Sequence, residues 1–123
     1  VPYAQLKDVQ PGDSSAAMRM RVVRARDVQK VRFAAHNAHA ATPVHCNAQM
    51  TPKMLRQYCV LDGECDRLLD YAMNKMGLSA RAYDRILKVA RTIADLDGSE
   101  NIRPQHISEA ISYRNLDRET QFL

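Results

Sequence analysis

The chain has 123 residues, 46% of them hydrophobic, with no Trp, four Gly and five Pro. This is enough for one soluble, mainly helical domain with a modest core, and it excludes a disordered tail. No apolar run approaches the roughly 18 residues of a membrane span, and no signal-peptide pattern opens the chain, so the reading is cytoplasmic with no membrane partner. Net charge is +4 but unevenly placed: residues 1–60 carry nine Lys/Arg against three Asp/Glu, and residues 61–123 carry nine against eleven. A basic first half points to nucleic acid, nucleotide or an acidic surface as partner. Cys46, Cys59 and Cys65 form an odd set without a CxxC pair, which argues for free thiols in a reducing compartment.

Residues 1–13 pass through Pro11-Gly12 and read as an extended segment, like the tail of something preceding it. Ser14 and Ser15 offer caps for a helix over 15–35, with Met18, Val22, Ala25, Val28 and Phe33 as its apolar stripe. Arg19, Arg21, Arg24, Arg26, Lys30 and Arg32 surround that stripe, opposed by Asp27, as a solvated face or an anion-binding one. Residues 36–50 lose periodicity around Pro43. His36, His39, His45 and Cys46 lie within eleven residues there, but no second ligand knuckle accompanies them, so no metal is assigned and they read as exposed loop residues.

Thr51-Pro52 starts a short helix over 52–59 offering Met54, Leu55 and Tyr58 to a core. Asp62 caps a helix over 63–76 whose Cys65, Leu68, Leu69, Ala72, Met73 and Met76 make the cleanest apolar face in the chain. Cys59 and Cys65 therefore read as small buried hydrophobes. Gly77-Leu78 fits a helix-ending motif that folds Leu78 back onto Met73.

Ser79 then caps a helix from about Ala80 toward Gly98, with Ile86, Ala90, Ile93 and Ala94 facing the core, flanked by Tyr83, Leu87 and Leu96. These side chains are expected to pack on the helix ending at Met76. Arg81, Arg85, Lys88 and Thr92 fall on another side. Two arginines four residues apart at a helix start repel each other and oppose the helix dipole, so a bound anion would relieve both costs. The alternative partner for Arg81 is Asp84 or a loop carboxylate. Asp95 and Asp97 read as solvated or ion-paired rather than as a catalytic dyad. A last helix over about 104–115 bears Ile107, Ala110 and Ile111, with Ile102 stapled to Ile107, and residues 117–123 are expected to fray.

No GxxxxGK[ST] phosphate loop, GxSxG elbow or HExxH pair is present, so no catalytic residue is assigned and the chain by itself has no means to hydrolyse nucleotide. What remains is cationic, and arginine suits contact with a phosphate bound elsewhere.

The runs LSARAYDRILKVARTIADLDGSENI, HISEAISYRNLDR and RVVRARDVQKVRF closely resemble the C-terminal domain of magnesium-chelatase-like AAA+ ATPases of the ComM/YifB type, with ARTIADL the most specific part. The resemblance covers about residues 14–118. It implies an all-α lid of four to five helices over 14–118, residues 1–13 as the end of an AAA+ core and linker, and 119–123 as a tail. It also implies a sensor-2 arginine, matched here by Arg81 in Leu78-Ser79-Ala80-Arg81, with Arg85 as a weaker candidate. The nucleotide cofactors, ATP and Mg, would belong to the parent protein. The implied parent is a ring-forming ATPase, with its own core and neighbouring subunits as partners of this domain. ComM-type members are DNA branch-migration helicases of natural transformation, and the related chelatase subunit drives magnesium insertion into protoporphyrin. Set beside the lid is a stand-alone nucleic-acid-binding module using Arg19, Arg24, Arg26 and Lys30, residues that in a ring could instead meet a neighbouring subunit. The histidine-rich segment 36–46 matches no feature of the family.

Overall fold

A computed structural model describes residues 14–121, with side chains through residue 113. The described residues form five α-helices and one 3-10 turn, and no strand: α1 Ser15–Asn37, the 3-10 turn Asn47–Gln49, α2 Pro52–Tyr58, α3 Gly63–Met76, α4 Ala80–Leu96 and α5 Pro104–Gln121. The expected extended segment 1–13 and the last two residues lie outside the described residues.

The starts of the first four helices are set by short polar side chains that satisfy otherwise unpaired amides. Ser14 accepts from Ala17 N–H at 3.1 Å, Thr51 from Met54 at 3.2 Å, Asp62 from Cys65 at 2.8 Å and Ser79 from Ala82 at 3.2 Å. α3 ends at Gly77, in the left-handed region at φ 62°, and the Leu78 N–H reaches back to Met73 O at 3.1 Å. α4 ends in the same way: Gly98 has φ 71° and Ser99 N–H donates to Ala94 O at 2.8 Å. α5 runs past the expected end at 115 to Gln121, because no Gly or Pro follows Pro104 to stop it.

α4 is the central element. It packs most extensively on α5 and also carries α1, α2 and the 3-10 turn. α3 makes its main contact with α5, not with α4 as expected from the sequence. The tight Gly77 turn sends α4 away from α3, and the shared core between them is completed by α5: Cys65 and Leu69 of α3 join Ile86, Leu87, Ala90 and Ala94 of α4 and Ile107 and Ala110 of α5. Ile102 and Ile107 are both buried, as a staple across the start of α5 requires.

α1 departs from its expected stripe. Ala25, Gln29 and Phe33 are buried, whereas Met18, Val22 and Val28 are 51%, 39% and 45% exposed. Positions 25, 29 and 33 follow the helical row, and polar Gln29 sits inside because its Oε1 accepts the Asn47 backbone N–H at 3.1 Å. Phe33 is fully buried and meets Tyr58 edge-on, with ring centroids 5.7 Å apart.

The interior also contains charge. Arg32 of α1 grips Asp95 of α4 through two bonds of 2.8 Å and reaches Asn47 Oδ1 at 2.9 Å. Asn47 donates to Asp95 at 2.8 Å and to Thr92 at 3.1 Å. Arg91 lies 3.2 Å from the same carboxylate and donates to the carbonyls of Ser99 at 2.9 Å and Glu100 at 3.1 Å. Burial pushes the Arg91 guanidinium down from its usual range, and the Asp95 charge opposes that shift. Replacing Asp95 with Ala strands two inward guanidiniums and is expected to cost about 3–5 kcal/mol, while replacing Arg32, Arg91 and Asp95 together by apolar residues costs far less. Urea unfolding followed by circular dichroism checks both; a single Asp95→Ala loss below about 1 kcal/mol contradicts the assignment.

Candidate functional site

Arg81 stands in the first turn of α4, raised by the Gly77 turn and the Ser79 cap. It is exposed and makes no hydrogen bond or ion pair with any described residue. The expected alternative, pairing with Asp84 or a loop carboxylate, is therefore not formed among the described residues. Arg85, one turn on, is exposed but partnered within the chain. Acidic groups do stand near this helix start: burial raises the Tyr83 phenol, and the charges of Asp66, Asp70 and Asp84 raise it further.

The other expected contacts, Arg19, Arg24, Arg26 and Lys30, are all exposed on α1. Arg32 is not among them, because it turns inward to Asp95. Among the described residues, α1, α4 and α5 border an open groove of about 540 Å³ with Met18, Val22, Ile93, Leu96 and Tyr113 on its apolar lining and Asp97 and His106 at its polar side. His106 is buried and acts as a cap: its Nδ1 accepts the Arg103 N–H at 2.9 Å while Nε2 lies 3.0 Å from Asp97. With Nδ1 taken as acceptor, the ring proton sits on Nε2 and is donated to Asp97, so both ring nitrogens are held within the chain. Asp95 and Asp97 are thus separately paired, as the sequence suggested.

His36, His39, His45 and Cys46 are exposed, and His36 Nε2 lies 3.4 Å from Thr42 O. Among the described residues, no group of three or more His, Cys, Asp or Glu side chains could hold a metal ion. No described helix is long and apolar enough to cross a membrane.

Arg91, Asn47 and Gln29 were not singled out from the sequence. The four-residue spacing of Arg91 and Asp95 was an available signal for Arg91. Asn47 and Gln29 carried none, since their partners lie on other elements.

Residues 12–114 match the magnesium chelatase, subunit ChlI C-terminal family. The chain belongs to this family. It is 44% identical over 112 residues to the uncharacterized protein YifB of Escherichia coli K12, covering 91% of this chain and 20% of that protein. It is 39% identical over 112 residues to the competence protein ComM of Haemophilus influenzae, again 91% of this chain and 20% of the relative. The chain spans about a fifth of the length of these curated relatives. Together with the helical fold, family membership makes this a lid-type domain of an AAA+ protein.

Within this family member, Cys59 and Cys65 are buried, and burial pushes each thiol up to about 11. At about pH 8 only roughly one part in a thousand of each is thiolate. An alkylating reagent is expected to label exposed Cys46 alone in the folded chain and all three cysteines in denaturant, as read by mass spectrometry.

Proposed function

We propose that this domain is the nucleotide-sensing lid of a ring-forming ATPase, with Arg81 contacting the phosphates of ATP held, with Mg, by a core domain elsewhere in the protein. The observation that carries the reading is an exposed arginine in the first turn of the central helix, without a partner among the described residues. A guanidinium with all its donors available suits a phosphate, and loss of the γ-phosphate would release that contact and change the lid's position. Arg85 supports the same surface more weakly, since it already has a partner within the chain.

In the whole protein we read the partners as the ATPase core, neighbouring subunits and DNA. The likeness to a protein named for competence favours DNA remodelling during uptake, by branch migration, over the chelatase reaction in which magnesium enters a porphyrin. A stand-alone nucleic-acid module is the weaker reading, because apolar side chains interrupt the basic face of α1.

The test uses the full-length protein. Arg81→Ala is expected to lower ATP turnover at least about tenfold, while the thermal unfolding of the isolated chain shifts little because Arg81 packs against nothing in the core. Arg81→Lys is expected to recover only part of the rate, since a point charge lacks the planar fork. Turnover unchanged by Arg81→Ala overturns the assignment.

A further inference from the structure

We propose that residues 3–9 of this chain occupy the groove between α1, α4 and α5. Along this groove of about 540 Å³, Met18, Val22, Leu96 and Tyr113 are 51%, 39%, 36% and 49% exposed, and Ile93 is half-buried among them. An apolar occupant would take surface on three helices out of water at once. The charged lining is Asp97 and Glu109 against Arg21, and the last carbonyls of α4 add partial negative charge beside Leu96 and Asp97. A phosphate is disfavoured there, and an apolar segment carrying one cation fits.

The sequence supplies such a segment just before α1. Tyr3, Leu6 and Val9 stand at every third position, Lys7 is the one cation among residues 1–13, and Pro11-Gly12 is a chain-reversal signal shortly before the Ser14 cap. A chain reversing at that point would run back beside α1. Met18 and Val22 stand about 6 and 12 Å along α1 from Ser14, and the α5 lining from Gln105 to Tyr113 extends about 12 Å. Gln10 to Ser14 reaches about 13 Å, and Tyr3 to Val9 spans about 9 Å as helix or 20 Å extended, so either form covers the groove. Lys7 has Asp97 and Glu109 to meet, and Asp8 has the cations of α1, Arg21 in the lining and Arg24 on the adjoining rim.

The tether decides between this occupant and a separate molecule. A segment joined to α1 through a few residues meets the groove at a roughly millimolar effective concentration, which an open, shallow site needs. In the whole protein, a segment seated in this way fixes the direction in which the domain leaves its ATPase core. That consequence rests on the lid reading, while the seating itself does not, since the groove lies at the end of α4 remote from Arg81.

The experiment compares two methionines on α1 in the 123-residue chain. Met18 lines the groove, whereas Met20 lies outside it, and the helices alone leave them similarly exposed at 51% and 60%. Under dilute hydrogen peroxide, Met18 is expected to form its sulfoxide at least about fivefold more slowly than Met20, as read by mass spectrometry. This first comparison needs no variant. In Tyr3→Ser/Leu6→Ser/Val9→Ser the two rates should become equal, with helicity by circular dichroism unchanged. Equal rates in the unsubstituted chain overturn the proposal, as does protection of Met18 that survives the triple substitution. Protection that is lost on about tenfold dilution, together with a dimer in sedimentation, assigns the groove to a second copy and overturns it as well.

Discussion

One carboxylate holds this domain together. Asp95 receives Arg32 from α1, Asn47 from the 3-10 turn and Arg91 from its own helix, and Arg91 in turn holds the carbonyls of Ser99 and Glu100 after the α4 end. A buried ion pair often contributes little net stability compared with an apolar replacement, because desolvating the charges offsets their attraction. What this one supplies is position. Apolar surfaces on helices can slide past one another, whereas forked donors meeting one carboxylate allow a single register. The Tyr58 hydroxyl, donating to Arg32 O at 3.1 Å, ties α2 to the same point of α1.

That constraint makes α4 a stable base for whatever its exposed start meets. Its C-terminal half is immobilised by Arg91, Thr92 and Asp95, and its ends are defined by Gly77 and Gly98. Arg81 projects from the opposite end of the same helix. A cation presented on a fixed helix loses less entropy on meeting an anion than one on a loop, which suits the role proposed for Arg81. The string that carries the family resemblance most specifically, Ala90 to Leu96, is also the one that contains Arg91, Thr92 and Asp95. The most distinctive residues of the chain are thus occupied in fixing the helix, and the arginine proposed to meet ligand lies outside that string.

α1 shows how one helix serves two surfaces. Its inner row is narrow, with Ala25, Gln29 and Phe33, and one of the three is polar. So little apolar surface is used inward that methionines and valines remain outside among the cations. The same helix is therefore weakly amphipathic by sequence yet firmly anchored through Arg32.

By itself the sequence determined the five α-helices and where they start, but not the end of α5 or the 3-10 turn Asn47–Gln49. Ser14, Thr51, Asp62 and Ser79 cap where they were expected to, because a cap depends on a side chain and an amide only three residues apart. The apolar face of α3 and the burial of Cys59 and Cys65 were legible for the same reason, since helical spacing alone brings those side chains to one side. Arg81 as a candidate came from its place in the first turn, and its lack of a partner among the described residues became visible with the fold. Only the tertiary structure decided which of the arginines on α1 turns inward, that α3 rests on α5, and that Gln29 and Asn47 belong to the core. Those outcomes depend on partners 15 to 63 residues away in the chain. Local periodicity carries no information about them, because a polar side chain is buried only where a distant group completes its hydrogen bonds.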